Sequence, residues 1–445
     1  MSKYTKYKKV NEKWVNAIPA HWEMKRLKGI FALRNERNNP IITDKILSLT
    51  AKQGVIPYEE KESAGGNKPK ADLTKYNVCH TNDLLINCMN VVSGSAGVSK
   101  YEGAISPVYY ALYPHNDDNV WYYHHIFRLE PFQKSLVGLG KGILMHESEE
   151  GKLTSVRMRI SMDYLGNVML PVPPKEEQNK IAMYLDWKIN YINILISNKN
   201  KYKNELVNVK KSIINNVLLH GVLKHNDYKN SNIEWLPKIP NDWEVLRTKV
   251  HIVVEHGSDP KKHGDIPVYG SGNSKFKTCG EYKVGPAVLL GRKGTIDNPQ
   301  YIEGKYWNVD TAFNAYSKDD SINIKFFYYV TTQINYEYYS TQTAIPSMTQ
   351  SDYKNMLIPF PSINEQVLIS NLLDEKLTKI NALIQMQVQY IEELNNLKNR
   401  IISDAVTGKI NVQSIDIPEY KLQNDLNLSE IEYDEDSENI EEVDE

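Results

Sequence analysis

The chain of 445 residues contains the same two segments twice, and this repeat constrains its fold more than any other feature. WVNAIPAHWE at residues 14–23 returns as WLPKIPNDWE at residues 235–244. LPVPPKEEQ at residues 170–178 returns as IPFPSINEQ at residues 358–366. Self-similarity of this kind indicates that one folding unit is present twice.

The stretches between the matched segments differ far more than the segments themselves. Residues 22–169 and 243–357 are rich in Gly, Tyr and Ser/Asn turns and in short apolar runs, which predicts two mixed, β-rich domains. A duplicated frame that holds two divergent inserts suits a protein that recognises a target in two parts. The frame fixes the geometry, while each insert can recognise something different.

Each Pro-x-Pro segment is followed by a long run that favours helix. Residues 175–218 and 364–406 contain neither Gly nor Pro, and their apolar residues mostly follow a spacing of three and four. Gly221 and Gly408 stand just past the ends, where glycine is usual. A helix of this length extends roughly 66 Å, and its narrow apolar stripe needs a partner. We therefore expect an α+β protein in which a long antiparallel coiled coil of two helices separates the two β-rich domains, with an internal pseudo-two-fold repeat.

The charge is distributed unevenly along the chain. The formal net charge is -2, but residues 425–445 carry eleven acidic residues and no Lys or Arg. The remaining chain is therefore basic, by about nine charges, which is compatible with a polyanionic partner.

Composition excludes several other classes of protein. No apolar run approaches the ~18 residues of a membrane span, and the N-terminus lacks the apolar core of a signal peptide. Cys79, Cys88 and Cys279 are too few and too scattered for a disulfide framework or a cysteine zinc site. We expect buried cysteines in a cytoplasmic protein without a membrane partner.

The clearest candidate for a nucleic-acid contact is a Gly-Arg-Lys-Gly turn. It follows the apolar run at 286–290, so its backbone amides and cations can both face a phosphate or a base edge. A solvated surface turn is the alternative. Two further segments supply candidates. One is the turn-rich segment at 267–273, and the other is a weaker match to the Gly-Arg-Lys-Gly region in the first insert, which lacks the Arg-Lys pair. The candidate DNA-binding residues are Arg292, Lys293, Gly294, Thr295, Ser271, Asn273, Lys275, Asn90 and Ser93.

The repeated tryptophans and the histidines are better explained by structure than by binding. Trp14, Trp22, Trp235 and Trp243 belong to the repeated frame, so we favour packing over stacking on bases. The histidines at 124, 125 and 146 have no metal-ligand spacing, and we interpret them as satisfied structural residues.

No set of residues predicts catalysis or a metal site. The sequence contains no Gly-rich cofactor motif after a strand, no phosphate loop, no His-Glu-x-x-His and no Gly-x-Ser-x-Gly. We therefore expect a non-catalytic protein whose partners perform the chemistry.

These motifs together resemble the specificity subunit of Type I restriction–modification systems. The resemblance rests on the doubled Ile-Pro-x-x-Trp-Glu, the doubled Pro-x-Pro-x-x-Glu-Gln, the Gly-Arg-Lys-Gly-Thr and Trp-Asn-Val-Asp-Thr-Ala runs and the closing Ala-Val-Thr-Gly-Lys-Ile, and it covers about residues 13–412. It implies two target-recognition domains that each read one half of an asymmetric, interrupted site in double-stranded DNA. It also implies that the helices set the spacer and dock two adenine-methyltransferase subunits, which restriction subunits join. S-adenosylmethionine, ATP and Mg would then be bound by the partners.

The resemblance gives the expected domain boundaries. They are an N-terminal arm at 1–12, target-recognition domain 1 at 13–174, a central coiled-coil helix at 175–220, a linker at 221–234, target-recognition domain 2 at 235–362, a C-terminal coiled-coil helix at 363–412, and an acidic, disordered tail at 413–445. The sequence leaves two alternatives open. A coiled-coil scaffold that does not bind DNA would leave the inserts unused, and a fused restriction–methylation enzyme would need a cofactor motif.

Overall fold

A computed structural model gives the fold of two compact units, each described by itself. The first unit comprises Met1–Lys201 and Gln389–Glu445, and the second comprises Tyr202–Val388. The structure describes residues 3–50, 53–61, 69, 71–142, 146–147, 153–154, 158–272, 275–340 and 346–420. The acidic residues from 421 onward lie outside this range.

The first unit is built mainly from short strands, and the first long helix follows them. Its strands are β1 Tyr7–Glu12, β2 Val15–Pro19, β3 Glu23–Arg26, β4 Phe31–Leu33, β5 Leu47–Thr50, β6 Gly54–Pro57, β7 Asn77–Cys79, β8 Leu84–Asn87, β9 Ala96–Val98, β10 Gly103–Ile105, β11 Tyr109–Pro114, β12 Lys141–Gly142, β13 His146–Glu147, β14 Leu153–Thr154, β15 Met158–Arg159 and β16 Met169–Val172. Its helices are α1 Leu27–Ile30, α2 Val120–Phe127, α3 Glu130–Leu136 and α4 Met162–Leu165, and they precede α5 Lys175–His220.

The second unit has a similar order of elements and contains the start of the second long helix. Its strands are β17 Tyr228–Ile233, β18 Leu236–Pro240, β19 Glu244–Arg247, β20 Ile252–His256, β21 Ile266–Tyr269, β22 Lys277–Cys279, β23 Lys283–Val284, β24 Ala287–Gly291, β25 Gln300–Ile302, β26 Lys305–Asn308, β27 Ala312–Ser317 and β28 Leu357–Phe360. Its helices are α6 Ile324–Thr331, α7 Tyr336–Tyr339 and α8 Gln350–Asn355, and they precede α9 Ile363–Val406.

The repeated frame begins earlier than the sequence match indicates. Strands β1 and β2 form an antiparallel hairpin in which Tyr7 lies opposite Pro19. Strands β17 and β18 form the same hairpin, with Tyr228 opposite Pro240. The expectation of a linker at 221–234 is therefore wrong for β17, and the arm expected at 1–12 contains β1. Both segments are polar and carry little of the alternation that would predict a strand.

A second pair of strands closes each insert. In the first unit β3 and β16 pair antiparallel, so Glu23 lies opposite Val172. In the second unit β19 and β28 pair in the same register, with Glu244 opposite Phe360. The two matched segments of the sequence are thus the two sides of one ladder, which explains why they recur together.

The central sheets share one strand order although their sequences differ. The sheet of the first unit has the order β4-β11-β8-β9, and that of the second has β20-β27-β24-β25. All neighbours in both sheets are antiparallel. The second unit adds a sheet of order β22-β21-β26-β23. Each unit therefore places its β8–β9 or β24–β25 connection at the same point of the same sheet.

The two long helices pair antiparallel. In the first unit the Lys398 ammonium donates to Asn193 Oδ1 at 3.3 Å, and the Lys199 ammonium lies 4.8 Å from the ring centre of Tyr390. From the first contact to the second, the residue number rises from 193 to 199 in one helix and falls from 398 to 390 in the other, so the helices run antiparallel. Helix α9 ends at Val406, short of the expected residue 412, because Gly408 adopts a left-handed φ of 69°.

The Glu-Gln pair of the repeated motif anchors the start of each long helix. Gln178 Oε1 accepts the backbone N–H of Asn119, which caps α2, and Gln366 Oε1 accepts that of Asn323, which caps α6; both bonds are 2.8 Å long. The amide nitrogen of each glutamine also donates to the carbonyl of the Pro five residues earlier, at 2.9 Å. This motif is therefore structural, since it fastens the helix to its insert.

The structure tests several smaller expectations. All three cysteines are buried and free, and Trp22 and Trp243 are at most 1% exposed, so packing is confirmed for them. The expectation of satisfied histidines is wrong for His124 and His125, because each has a buried ring nitrogen without a hydrogen-bond partner among the described residues. The side chain at 146 lies outside the described residues. No helix in the described part of the chain has the length and apolar character needed to cross a membrane.

Candidate nucleic-acid interface

The Gly-Arg-Lys-Gly turn connects β24 to β25. It can turn tightly because Gly291 has no side chain: a Cβ there would come within 2.2 Å of the Thr295 carbonyl oxygen. Gly294 adopts a left-handed φ of 78°, a conformation that favours glycine. Both glycines of the motif are therefore required by the path of the backbone, and the two cations stand between them.

Backbone hydrogen bonds hold this turn in place. The N–H of Arg292 donates to Thr311 O at 2.8 Å, and the carbonyl of Arg292 accepts the N–H of Met348 at 3.0 Å. The N–H of Gly294 donates to Pro346 O at 3.0 Å. The turn is thus fixed by two segments distant in sequence, so its side chains start from defined positions.

The two cations of the turn are held differently. One terminal nitrogen of the Arg292 guanidinium, Nη1, lies 3.3 Å from the carbonyl oxygen and 3.4 Å from Oδ2 of Asp310, and the arginine side chain is one third exposed. Lys293 is exposed, and its backbone forms an isolated antiparallel β-bridge with that of Ser347. Arg292 is an oriented fork of donors, whereas Lys293 presents a charge to solvent.

Three other candidates of the second insert lie in the connection from β21 to β22. The N–H of Ser271 donates to the Thr311 hydroxyl at 3.3 Å. A Cβ on Gly294 would lie 3.6 Å from Ser271 Oγ, so this connection meets the Gly-Arg-Lys-Gly turn. Lys275 is exposed in the same connection. Asn273 lies outside the described residues.

Arg292 and Lys293 line an open cleft of about 380 Å³. Its other polar walls are supplied by His256 at the end of β20 and by the segment 347–351. These side chains offer cationic, hydroxyl and amide groups, which are the groups that bind phosphate oxygens and base edges. Sequence reasoning missed His256, Ser347, Thr349 and Gln350, since only the fold brings them to the turn.

A second cleft, of about 440 Å³, opens on the opposite face of the same sheet. Glu255 and Asn314 line it, while their neighbours His256 and Phe313 line the first cleft, as expected for consecutive residues of a strand. Burial lowers the pKa of Lys283 in this cleft, although the charge of Glu255 acts in the opposite direction. One lysine beside one glutamate leaves little net charge, so the first cleft suits a polyanion better.

The candidates of the first insert occupy the equivalent connection. Asn90 and Ser93 lie between β8 and β9, and both are exposed. The N–H of Ser93 donates to Asn90 O at 3.0 Å within a short 3₁₀ turn. The fold therefore places Asn90 and Ser93 in the connection that matches the one of Arg292 and Lys293. One connection carries Arg and Lys, while the other carries neutral amide and hydroxyl groups.

One group of side chains in the second unit has the spacing of metal ligands. His225, Asp242 and Glu365 bring three ligand atoms within 4.8 Å of one another. However, His225 directs Nδ1 to Asp242 and Nε2 to Glu365, each at 2.9 Å. Burial of the imidazole acts to lower the pKa of His225, but the hydrogen bonds and charges of the two carboxylates outweigh it and raise the pKa. A protonated imidazole that donates twice fits this geometry better than a metal ion.

Comparison with known proteins agrees with this architecture. The profile of the family described as type I restriction modification DNA specificity domain matches residues 19–214 and 253–416. The putative type I restriction enzyme MjaX specificity subunit of Methanocaldococcus jannaschii is 24% identical, across 90% of this chain and 96% of the relative. The MjaVIII specificity subunit of the same organism is also 24% identical, across 92% of this chain and 98% of the relative.

A solved structure shows the same fold. A chain from work on the complex assembly and conformational transition of the type I R-M system superimposes with a TM-score of 0.57 at 15% identity, covering 88% of this chain and 99% of that one. Neither alternative, a coiled-coil scaffold or a fused enzyme, is supported by any of these comparisons. The protein belongs to the family of type I restriction–modification DNA specificity proteins and carries the family's specificity domain twice.

Proposed function

We propose that each unit binds one half of a bipartite, asymmetric target in double-stranded DNA. The observation that supports this most directly is the pair of matching connections, β8–β9 and β24–β25, which occupy one position in one sheet order and differ in chemistry. A sequence-neutral DNA-binding protein would need similar cations in both. Different side chains at equivalent positions suit the reading of two different half-sites.

The long helices set the spacer between the half-sites and dock two methyltransferase subunits, which restriction subunits join. The names of the Methanocaldococcus relatives support such an assembly. This chain acts as a non-catalytic subunit in the cytoplasm, and the partners bind S-adenosylmethionine, ATP and Mg. Its own task is to bring those partners to a defined DNA sequence.

The test is to map methylated adenines in cells that express the chain with its methyltransferase partner. We expect one interrupted motif. Arg292→Ala combined with Lys293→Ala should alter the specificity of one half only, and Asn90→Ala combined with Ser93→Ala should alter the other. A double variant that changes both halves together would contradict the assignment of one unit to each half.

The role of the helices needs a separate experiment. Deleting residues 199–205 and 387–393 together shortens each of the two long helices by about 10.5 Å. At about 34 Å for 10 base pairs of DNA, this corresponds to roughly three base pairs of spacer. We expect a motif with a changed spacer and unchanged half-sites; an unchanged spacer would show that the helices do not set it.

A further inference from the structure

The side chain of Arg292 is arranged to read a base edge, whereas Lys293 beside it suits a phosphate. Arg292 contacts Asp310 through a single terminal nitrogen, Nη1. The opposite edge of the guanidinium, Nε and Nη2, forms no hydrogen bond in the described part of the chain, and Arg292 is one of the residues that line the open cleft. That edge carries two parallel N–H donors, which match two adjacent acceptors.

Asp310 decides between the two kinds of DNA contact. Its carboxylate lies 3.4 Å from the guanidinium, so it offsets the positive charge that a phosphate would seek. The same carboxylate and its backbone carbonyl fix the direction of the fork, which a base contact requires. Phosphate contacts depend mainly on net charge, while base contacts depend on direction.

The backbone beneath Arg292 is also fixed. Its N–H and its carbonyl are bonded to Thr311 and Met348, and the residue follows directly on β24. A donor fork with a fixed base and a fixed direction loses little conformational freedom on binding. This arrangement selects one partner geometry, in contrast with the exposed Lys293.

We infer that Arg292 reads a guanine in the half-site bound by the second unit, with Asp310 as the residue that orients it. Guanine presents O6 and N7 side by side in the major groove, and this pair of acceptors is the one that a bidentate arginine matches. The inference rests on the proposed function, because it requires that this unit bind a half-site. It adds the identity of one base and the residue that selects it.

The experiment compares the methylated motifs produced in cells by the wild-type complex and by its Arg292→Ala, Arg292→Lys and Asp310→Asn variants. Arg292→Ala and Arg292→Lys should each lower the preference for G·C at one position roughly 5- to 150-fold, since lysine keeps the charge but loses the fork. Asp310→Asn should relax the same position less, because the amide oxygen still accepts. Arg247→Lys makes the same chemical change at an exposed arginine of the frame and should leave the motif intact.

The outcomes separate this inference from the function on which it rests. If the wild-type complex yields no bipartite motif, the proposed function fails. If the motif is found but the relaxed position is not G·C, or if Arg292→Lys retains the wild-type preference, only the guanine assignment fails. Equal weakening at every sequence by both Arg292 variants would overturn it as well, since that is the behaviour of a phosphate contact. The half-site of the first unit reports whether each variant complex is folded.

Discussion

The two units keep the same buried glutamate at the start of each long helix but satisfy it with different donors. In the first unit Glu177 accepts from the Tyr4 hydroxyl and pairs with His21 at 2.9 Å. In the second unit the equivalent Glu365 accepts from the Trp243 indole N–H at 2.9 Å and pairs with His225 at 2.9 Å. His225 occupies the position that Tyr4 has in the first unit.

This difference shows what the frame requires. A buried carboxylate must be paired, but the fold does not fix which residue pairs it. The donors of Glu177 include His21, whose side chain is 47% exposed, while those of Glu365 include His225, whose side chain is 4% exposed. The histidine that pairs with the glutamate is therefore more deeply buried in the second unit, so losing its carboxylate partner should cost more free energy there.

The largest effect should come from removing these glutamates. Glu365→Leu leaves a buried imidazolium and an indole N–H without their acceptor, and should destabilise the second unit by about 3–5 kcal/mol. Glu177→Leu leaves His21 able to reach water, so we expect the first unit to lose about half as much. Hydrogen exchange of the hairpins β17–β18 and β1–β2 in the two variants measures both effects.

The matched control for this pair is Asp242→Asn. Asp242 also contacts His225, but it is 67% exposed, so its replacement should cost less than about 1 kcal/mol. Equal losses for Glu365→Leu and Glu177→Leu would contradict the proposed difference in burial of the donors.

The two units should also respond to pH in opposite directions. Burial lowers the pKa of His125 to about 4 and that of His124 well below its usual value. The unfolded chain therefore binds more protons between pH ~6.5 and the folded pKa of each histidine, so within that range the first unit loses about 1.4 kcal/mol per pH unit for each histidine on acidification. The raised pKa of His225 has the opposite sign: its contribution is complete below pH ~6.5 and is lost as pH rises through the folded pKa.

Hydrogen exchange at a series of pH values, corrected for the intrinsic rate, tests this contrast. We expect α2 to open more easily on acidification and the β17–β18 hairpin to open more easily above neutral pH. His225→Tyr gives the second unit the residue that Tyr4 supplies in the first, and should remove the alkaline loss. If both units weakened in the same direction, the assigned protonation states would be wrong.

A smaller effect distinguishes the two frame tryptophans. Trp243 donates to Glu365, whereas the indole nitrogen of Trp22 has no hydrogen-bond partner among the described residues. Trp243→Phe should cost about 1–3 kcal/mol more than the packing loss alone. Trp22→Phe removes an unpaired N–H and should cost only the packing loss, and urea unfolding of the two variants compares them. If Trp22→Phe lowered the free energy of unfolding more than Trp243→Phe, the proposed role of the Trp243 hydrogen bond would be contradicted.

Much of this architecture follows from the sequence, and the reasons are physical. The long helices are predictable because residues 175–218 and 364–406 combine apolar periodicity with the absence of Gly and Pro. Strand β17 is not, because YKNSNI is polar and pairs through its backbone. The only route to β17 from the sequence is to extend the alignment of the two repeats toward the N-terminus from Trp14 and Trp235.

The candidate interface divides in the same way. Arg292 and Lys293 are found by the glycines that flank them, because a tight turn leaves a local signal. His256 and Gln350 leave none, since the order of the strands brings them to the cleft. The buried ring nitrogens of His124 and His125, which form no hydrogen bond with the described residues, are also beyond sequence reasoning, because burial and pairing are decided by the three-dimensional packing.

The smallest predicted effect concerns a lysine that both long helices carry at the same point of the repeat. Burial lowers the pKa of Lys398, reinforced by the charge of Arg128, and burial lowers that of Lys210. Lys398→Met removes a buried ammonium and one hydrogen bond to Asn193, so we expect a change within about 1 kcal/mol at pH 7. A lysine with a lowered folded pKa destabilises below that pKa and ceases to do so as pH rises toward ~10.4. Urea unfolding of Lys398→Met and wild type should therefore show a difference that shifts in favour of the wild type between pH 7 and pH 9.5; a difference independent of pH would mean that the ammonium is not desolvated between the helices.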